Sequence, residues 1–177
     1  QHPNSLKPNK RDPSEFENNE SFFRERWWDD GTILAGGREY SAMRVSKCYT
    51  SKRAGIKNIS CLDCHSMHHS DPKDQLKKGI SGNNACVQCH KEEKYTKEIE
   101  RHTYHKPNSS GSNCLNCHMP HTSYALLGAI RSHQIQSPSA SRSIVHGVPN
   151  ACNLCHLDKT LQWTQVKLNE WHGHDIN

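Results

Sequence analysis

The sequence predicts a mainly α chain with few helices, little sheet and much irregular structure, wrapped around something other than its own side chains. Three observations carry that expectation. Only 32% of the 177 residues are apolar and the mean hydropathy is −0.96, too little for a protein-only core of ordinary size. The pentapeptide Cys-x-x-Cys-His occurs four times. The stretches between the copies are rich in Pro, Ser, Asn and Lys, which suit long connections better than long helices.

The copies are Cys61-Leu62-Asp63-Cys64-His65, Cys86-Val87-Gln88-Cys89-His90, Cys114-Leu115-Asn116-Cys117-His118 and Cys152-Asn153-Leu154-Cys155-His156. Two thiols at this spacing can each add to a haem vinyl group, and the histidine beside the second thiol is placed to bind the iron from one side. The pattern predicts four covalently attached haems c, with His65, His90, His118 and His156 as proximal ligands. A pair of zinc ribbons also uses Cys-x-x-Cys, but has no need of the histidine. With 14 His in 177 residues, chance would supply one after all four thiol pairs only about 4 times in 100,000. Nine cysteines cannot all pair, which weakens a disulfide framework. Four flat apolar porphyrins would supply the core that the side chains lack, making this a haem-cored chain.

In chain order, residues 1–26 read as a polar tail and 27–177 as a single tetrahaem domain. His2 in the tail reads as solvated. Trp27 and Trp28, the Asp30-Gly31 turn and the Gly36-Gly37 turn predict a small hairpin or an irregular loop. The tryptophans would pack a haem edge or the core. Cys48 stands outside the motifs; a free buried thiol, a thiol ligand and a disulfide to a second chain are the readings open to it.

After the first motif, His68 follows His65 by three residues, so it cannot reach the far face of its own haem but can reach the next one. His69 reads as a surface or propionate-bonded histidine. Asn84 can cap a helix carrying the second motif and continuing through KEEKYTKEIERHTYH, braced by Glu and Lys pairs, the longest helix of the first two-thirds. That helix would deliver His102 and His105 on nearly one face. After the third motif a short helical pattern over Tyr124 to Ile130 leads to His133, the fourth distal candidate, while His121 is less well placed. Residues 134–150 read as a Ser- and Pro-rich loop containing His146, and the fourth motif opens an amphipathic helix ending at Gly173. His172 and His174 would be solvated tail residues.

The formal charge of +5 omits the cofactors: propionates and ferric cores take it to about +1, and reduction to about −3. No basic cluster interleaved with aromatics supports nucleic-acid binding. No apolar run approaches a membrane span. The chain begins at Gln1 and reads as a mature product after signal-peptide removal, with a periplasmic or extracellular address.

The segments DGTILAGGREYSAM, CLDCHSMHHSDP, RHTYHKPNSSGSNCLNCHMP, AIRSH and PNACNLCHLDKTLQW resemble multihaem c-type cytochromes related to the haem domains of nitrite reductases and hydroxylamine oxidoreductases. The resemblance implies closely spaced haems and distal histidines at His68, His102, His105 and His133. It also brings a filament-forming extracellular cytochrome into view, since tetrahaem cytochromes of this size form such polymers. There is no Cys-x-x-Cys-Lys, on which nitrite reductases build their open iron, and ten non-motif histidines are available for four distal sites. The expected role is electron transfer, not catalysis, with redox proteins or extracellular acceptors as partners and a homopolymer as a further expectation. The alternatives are a soluble periplasmic shuttle or a redox subunit of a nitrite- or hydroxylamine-type oxidoreductase.

Overall fold

A computed structural model describes residues 26–34, 38–51, 59–68, 70–125 and 128–173. Most of the polar tail with His2, the Gly36-Gly37 turn, His69 and His174 lie outside the described residues. The described chain is mainly helical, with short helices, long irregular connections and one two-stranded sheet, as the composition predicts.

The hairpin expected near the start is present. Trp27 bridges to Ile33 across a turn at Asp30 and Gly31, where Gly31 takes φ 82°. Two helices then follow that the sequence reading did not anticipate, α1 (Glu39–Val45) and α2 (Lys47–Thr50). Ser46 joins them: its hydroxyl donates to the Met43 carbonyl at 2.6 Å and accepts from the Tyr49 N–H at 3.2 Å. Ala42 and Met43 on α1 belong to a small apolar core completed by Ala140, Val148, Ala151 and Leu168.

The long helix expected from Asn84 to His105 is instead three short ones, α4 (Asn84–Val87), α5 (Glu93–Thr96) and α6 (Ile99–Thr103), after α3 (Cys61–Cys64) on the first motif. The expected charge pairs form, Lys97 with Glu93 at 2.9 Å and Arg101 with Glu98. Exposed pairs of this kind contribute only about 0.3–0.5 kcal/mol each, too little to carry a helix through residues with no apolar face to bury. Asn84 is also not the cap. The capping position falls to Asn83, whose side chain reaches across to the third motif.

The third motif forms α7 (Cys114–His118), capped by Asn113, which accepts from the Leu115 N–H at 3.0 Å. The helical pattern read over Tyr124 to Ile130 is a strand pair, β1 (His121–Ala125) and β2 (Gly128–Arg131), antiparallel with Thr122 opposite Ile130. Thr and Ile favour this pleated pairing, and a short apolar run does not by itself distinguish the two periods. The Ser- and Pro-rich segment holds a further helix, α8 (Ala140–His146), with Ser139 as N-cap and Gly147 at φ 71° as its end. The fourth motif forms one tight turn, Cys152–Leu154, and the last helix, α9 (Leu161–His172), starts only at the Thr160 cap. Gly173 ends it at φ 68°, where the sequence reading placed the stop.

Candidate functional site

Each motif is held by hydrogen bonds that its own neighbours supply. Asp63 accepts from the Ser60 N–H at 2.6 Å and closes the turn under the first motif, and those bonds hold its carboxyl below the usual range. Asn150, itself buried, accepts from the Cys152 N–H at 3.0 Å under the fourth. Asn83 works between motifs: its Oδ1 accepts from the Cys114 N–H at 2.8 Å while its Nδ2 donates to the Ser112 carbonyl at 2.9 Å.

The motifs lie in sequence order in space. Gln88 of the second reaches the Cys64 sulfur of the first at 3.9 Å. The Cys86 and Cys114 thiols, from the second and third, act on each other, which pushes Cys86 up and Cys114 down. Burial, then Cys114, then Cys155 of the fourth motif raise the Cys117 thiol. Cys48, half-buried, is pushed up by burial and then by Cys89, so it lies beside the second motif.

The histidines meet across long sequence distances. His133 faces His65 with ring centres 6.1 Å apart, His102 faces His118 at 6.1 Å, and His105 faces His156 at 5.9 Å. Two imidazoles on opposite sides of one metal have centres about 6.2 Å apart, from metal–nitrogen bonds of about 2.0 Å and about 1.1 Å from nitrogen to ring centre. Three predicted proximal histidines thus each meet a predicted distal one at the spacing that a shared iron requires. His68 is exposed, and its backbone N–H donates to the Ser66 hydroxyl at 3.4 Å. His90 instead meets Tyr95 edge-on at 5.5 Å.

The hydrogen bonds also select the tautomer. The Nδ1 atoms of His65, His105, His118 and His133 lie 2.9, 2.5, 3.1 and 3.0 Å from the carbonyls of Asp74, Thr103, Gln136 and Arg131. A carbonyl can only accept, so each Nδ1 carries the proton and each Nε2 keeps its lone pair for a metal. Burial lowers the affinity of His118 and His133 for a second proton, and burial with His118 and His172 nearby brings His102 down to about 4. The neutral imidazole is the ligating form.

His102 and His105 do not share a face, contrary to expectation. Tyr104 between them takes the left-handed conformation, φ 55°, which ends α6 and sends His105 to a different partner. His172 is likewise not a solvated tail residue: it packs 5.6 Å from His102 and edge-on to Tyr104 at 5.8 Å.

Several supporting residues escaped the sequence reading. Gln136 receives the His118 Nδ1–H and returns its own N–H to the His118 carbonyl at 3.1 Å. Arg142 holds Gln136 Oε1 at 2.6 Å and Asp30 at 2.9 Å, linking the first hairpin to the third motif. Arg131 holds the Met119 carbonyl and Asn116 Oδ1 at 3.1 and 3.0 Å. Their roles depend on contacts far along the chain and leave no local pattern.

A family model described as "Doubled CXXCH motif" matches residues 54–95, which carry the first two motifs. The chain is multihaem c-type-cytochrome-like. The doubled motif implies covalently bound c-type haem and suggests a haem-binding electron-transfer protein. Neither the comparison with curated proteins nor that with solved structures finds a match. The donor set fits such a group. Among the described residues no three or more His, Cys, Asp or Glu side chains gather to hold a bare metal ion, whereas three motif histidines each meet one predicted distal histidine, and two ligands are what a porphyrin leaves for the protein to supply.

Proposed function

We propose that the chain is an electron-transfer protein that binds four c-type haems and catalyses no reaction of its own. The observation that carries this reading is the set of three histidine pairs at 5.9–6.1 Å. A c-type haem, when bound, accepts and passes one electron by cycling its iron between ferric and ferrous. The chain's part is to hold the thiols of successive motifs side by side, to present His65 with His133, His118 with His102 and His156 with His105, and to occupy with nitrogen the positions that a substrate would need. His90 is the fourth proximal ligand and His68 the remaining distal candidate of the chain.

The address outside the cytoplasmic membrane belongs to the same proposal, because haem is attached to this motif there. Among the described residues no helix is long and apolar enough to cross a membrane. Head-to-tail assembly of copies into a filament is supported by the resemblance and by a general rule: a head-to-tail contact makes a rod unless its rotation closes a ring.

The test is spectroscopic. The purified protein is expected to carry four haems by pyridine haemochrome, all low-spin at neutral pH, and to leave nitrite and hydroxylamine unchanged. A high-spin fraction with turnover of either would establish an enzyme instead. Light scattering separates a polymer from a soluble shuttle of 20.2 kDa plus its haems.

A further inference from the structure

Six of the histidines assigned above are not held in the same way. His65, His105, His118 and His133 are fixed by a backbone carbonyl behind Nδ1. Among the described residues no carbonyl stands behind Nδ1 of His90 or His102, and both lie edge-on against one ring: Tyr95 is 5.5 Å from His90 at 81° and 4.9 Å from His102 at 86°. An imidazole without a hydrogen bond has a broad torsional well about the bond to its ring, so packing must define its plane.

Tyr95 is itself clamped. It sits in α5, its N–H donates to the Glu92 carbonyl at 2.9 Å, and the Lys94 ammonium lies 4.8 Å from its ring centre. Its side chain is half-buried between the second-motif histidine and the residue facing the third-motif one.

We propose that Tyr95 is a positioning residue shared by two haems, fixing the imidazole planes of His90 and His102 and through them the electronic axes of two successive irons. The proposal rests on the ligand assignments above. The plane of an axial imidazole orients the iron d orbitals with which it interacts, so a change of plane alters the low-spin g values and the reduction potential without removing the haem.

The experiment uses the full chain loaded with haem, comparing the wild type with Tyr95→Leu and Tyr95→Phe by electron paramagnetic resonance and redox titration. The leucine variant is expected to keep the wild-type haem content, to change two of the four low-spin signals and their potentials, and to leave the other two unaltered. Tyr95→Phe, which keeps the ring, is expected to match the wild type. A leucine spectrum that superimposes on the wild type would overturn the proposal, as would a change spread over all four signals or a phenylalanine variant that behaves like leucine. Should the leucine variant fail to fold, Tyr95→Trp takes its place and is expected to shift the same two signals; no shift in them overturns the idea. The ligand reading fails separately and visibly, through a wild type that is not fully low-spin.

Discussion

The imidazoles of His102 and His118 lie with their planes within 3° of parallel and their centres 6.1 Å apart. If one iron joins them, its ligand planes are nearly aligned, and a well-resolved rhombic low-spin signal is expected from that haem. His102→Ala should retain the covalently attached haem and convert one iron of four to high-spin. Optical and resonance spectra check both outcomes. A His102→Ala protein still fully low-spin would show that another ligand, with His172 at 5.6 Å the first candidate, can serve instead.

Gly111 makes a sharper case. A Cβ at this position would overlap the His105 imidazole, at ring atoms close to the backbone that have little freedom to retreat. Gly111→Ala is therefore expected to reproduce the spectrum of His105→Ala, with one high-spin iron and the haem still attached through Cys152 and Cys155. Magnetic circular dichroism of the two variants would show whether they match.

A third expectation concerns potentials. Both members of the His65–His133 pair donate Nδ1–H to a carbonyl, whereas among the described residues only one member of each of the His118–His102 and His156–His105 pairs does so. That bond raises the basicity of the ligand and so favours ferric iron. The haem held by His65 and His133 should have the lowest potential of these three. In spectroelectrochemistry, His133→Met should lift a component more negative than those lifted by His102→Met and His105→Met; the reverse order would refute it.

Arg142 offers a test in the protein scaffold. Burial alone would raise the Asp30 carboxyl, but bonds from Thr32 and Arg142 offset this and leave it below its ordinary value. Removing the guanidinium leaves the Asp30 carboxylate, 9% exposed, with only its Thr32 bonds, and Arg142→Ala should cost about 1.5–3 kcal/mol. The sign with pH follows from the depressed value: this stabilisation is present above the unfolded carboxyl range and is lost as pH falls through the folded one. Thermal melts from neutral to acid pH should show that loss in the wild type and a smaller one in the variant.

How much of this could be read from the sequence depended on range. Thiol pairs, their adjoining histidines and the stop at Gly173 depend on residues within a few positions, and the sequence displays them directly. The turn at Asp30-Gly31 is of the same kind. What was misread depends on packing. Nothing local shows that residues 121–131 pair as strands or that Tyr104 takes a left-handed conformation between His102 and His105. The partners of His65, His118 and His156 were among the candidates, but their matching needed the folded chain.

The mutual influence of the Cys86 and Cys114 thiols has a consequence for biogenesis. It leaves Cys114 the more acidic of the two and so the readier nucleophile. If both thiols carry haem as proposed, a disulfide between them in the unloaded polypeptide would join one motif to its neighbour and block both from receiving cofactor. Maturation would then have to keep these thiols reduced until each has been alkylated by a vinyl group, and a cell short of thiol reductant should accumulate crosslinked, colourless chains.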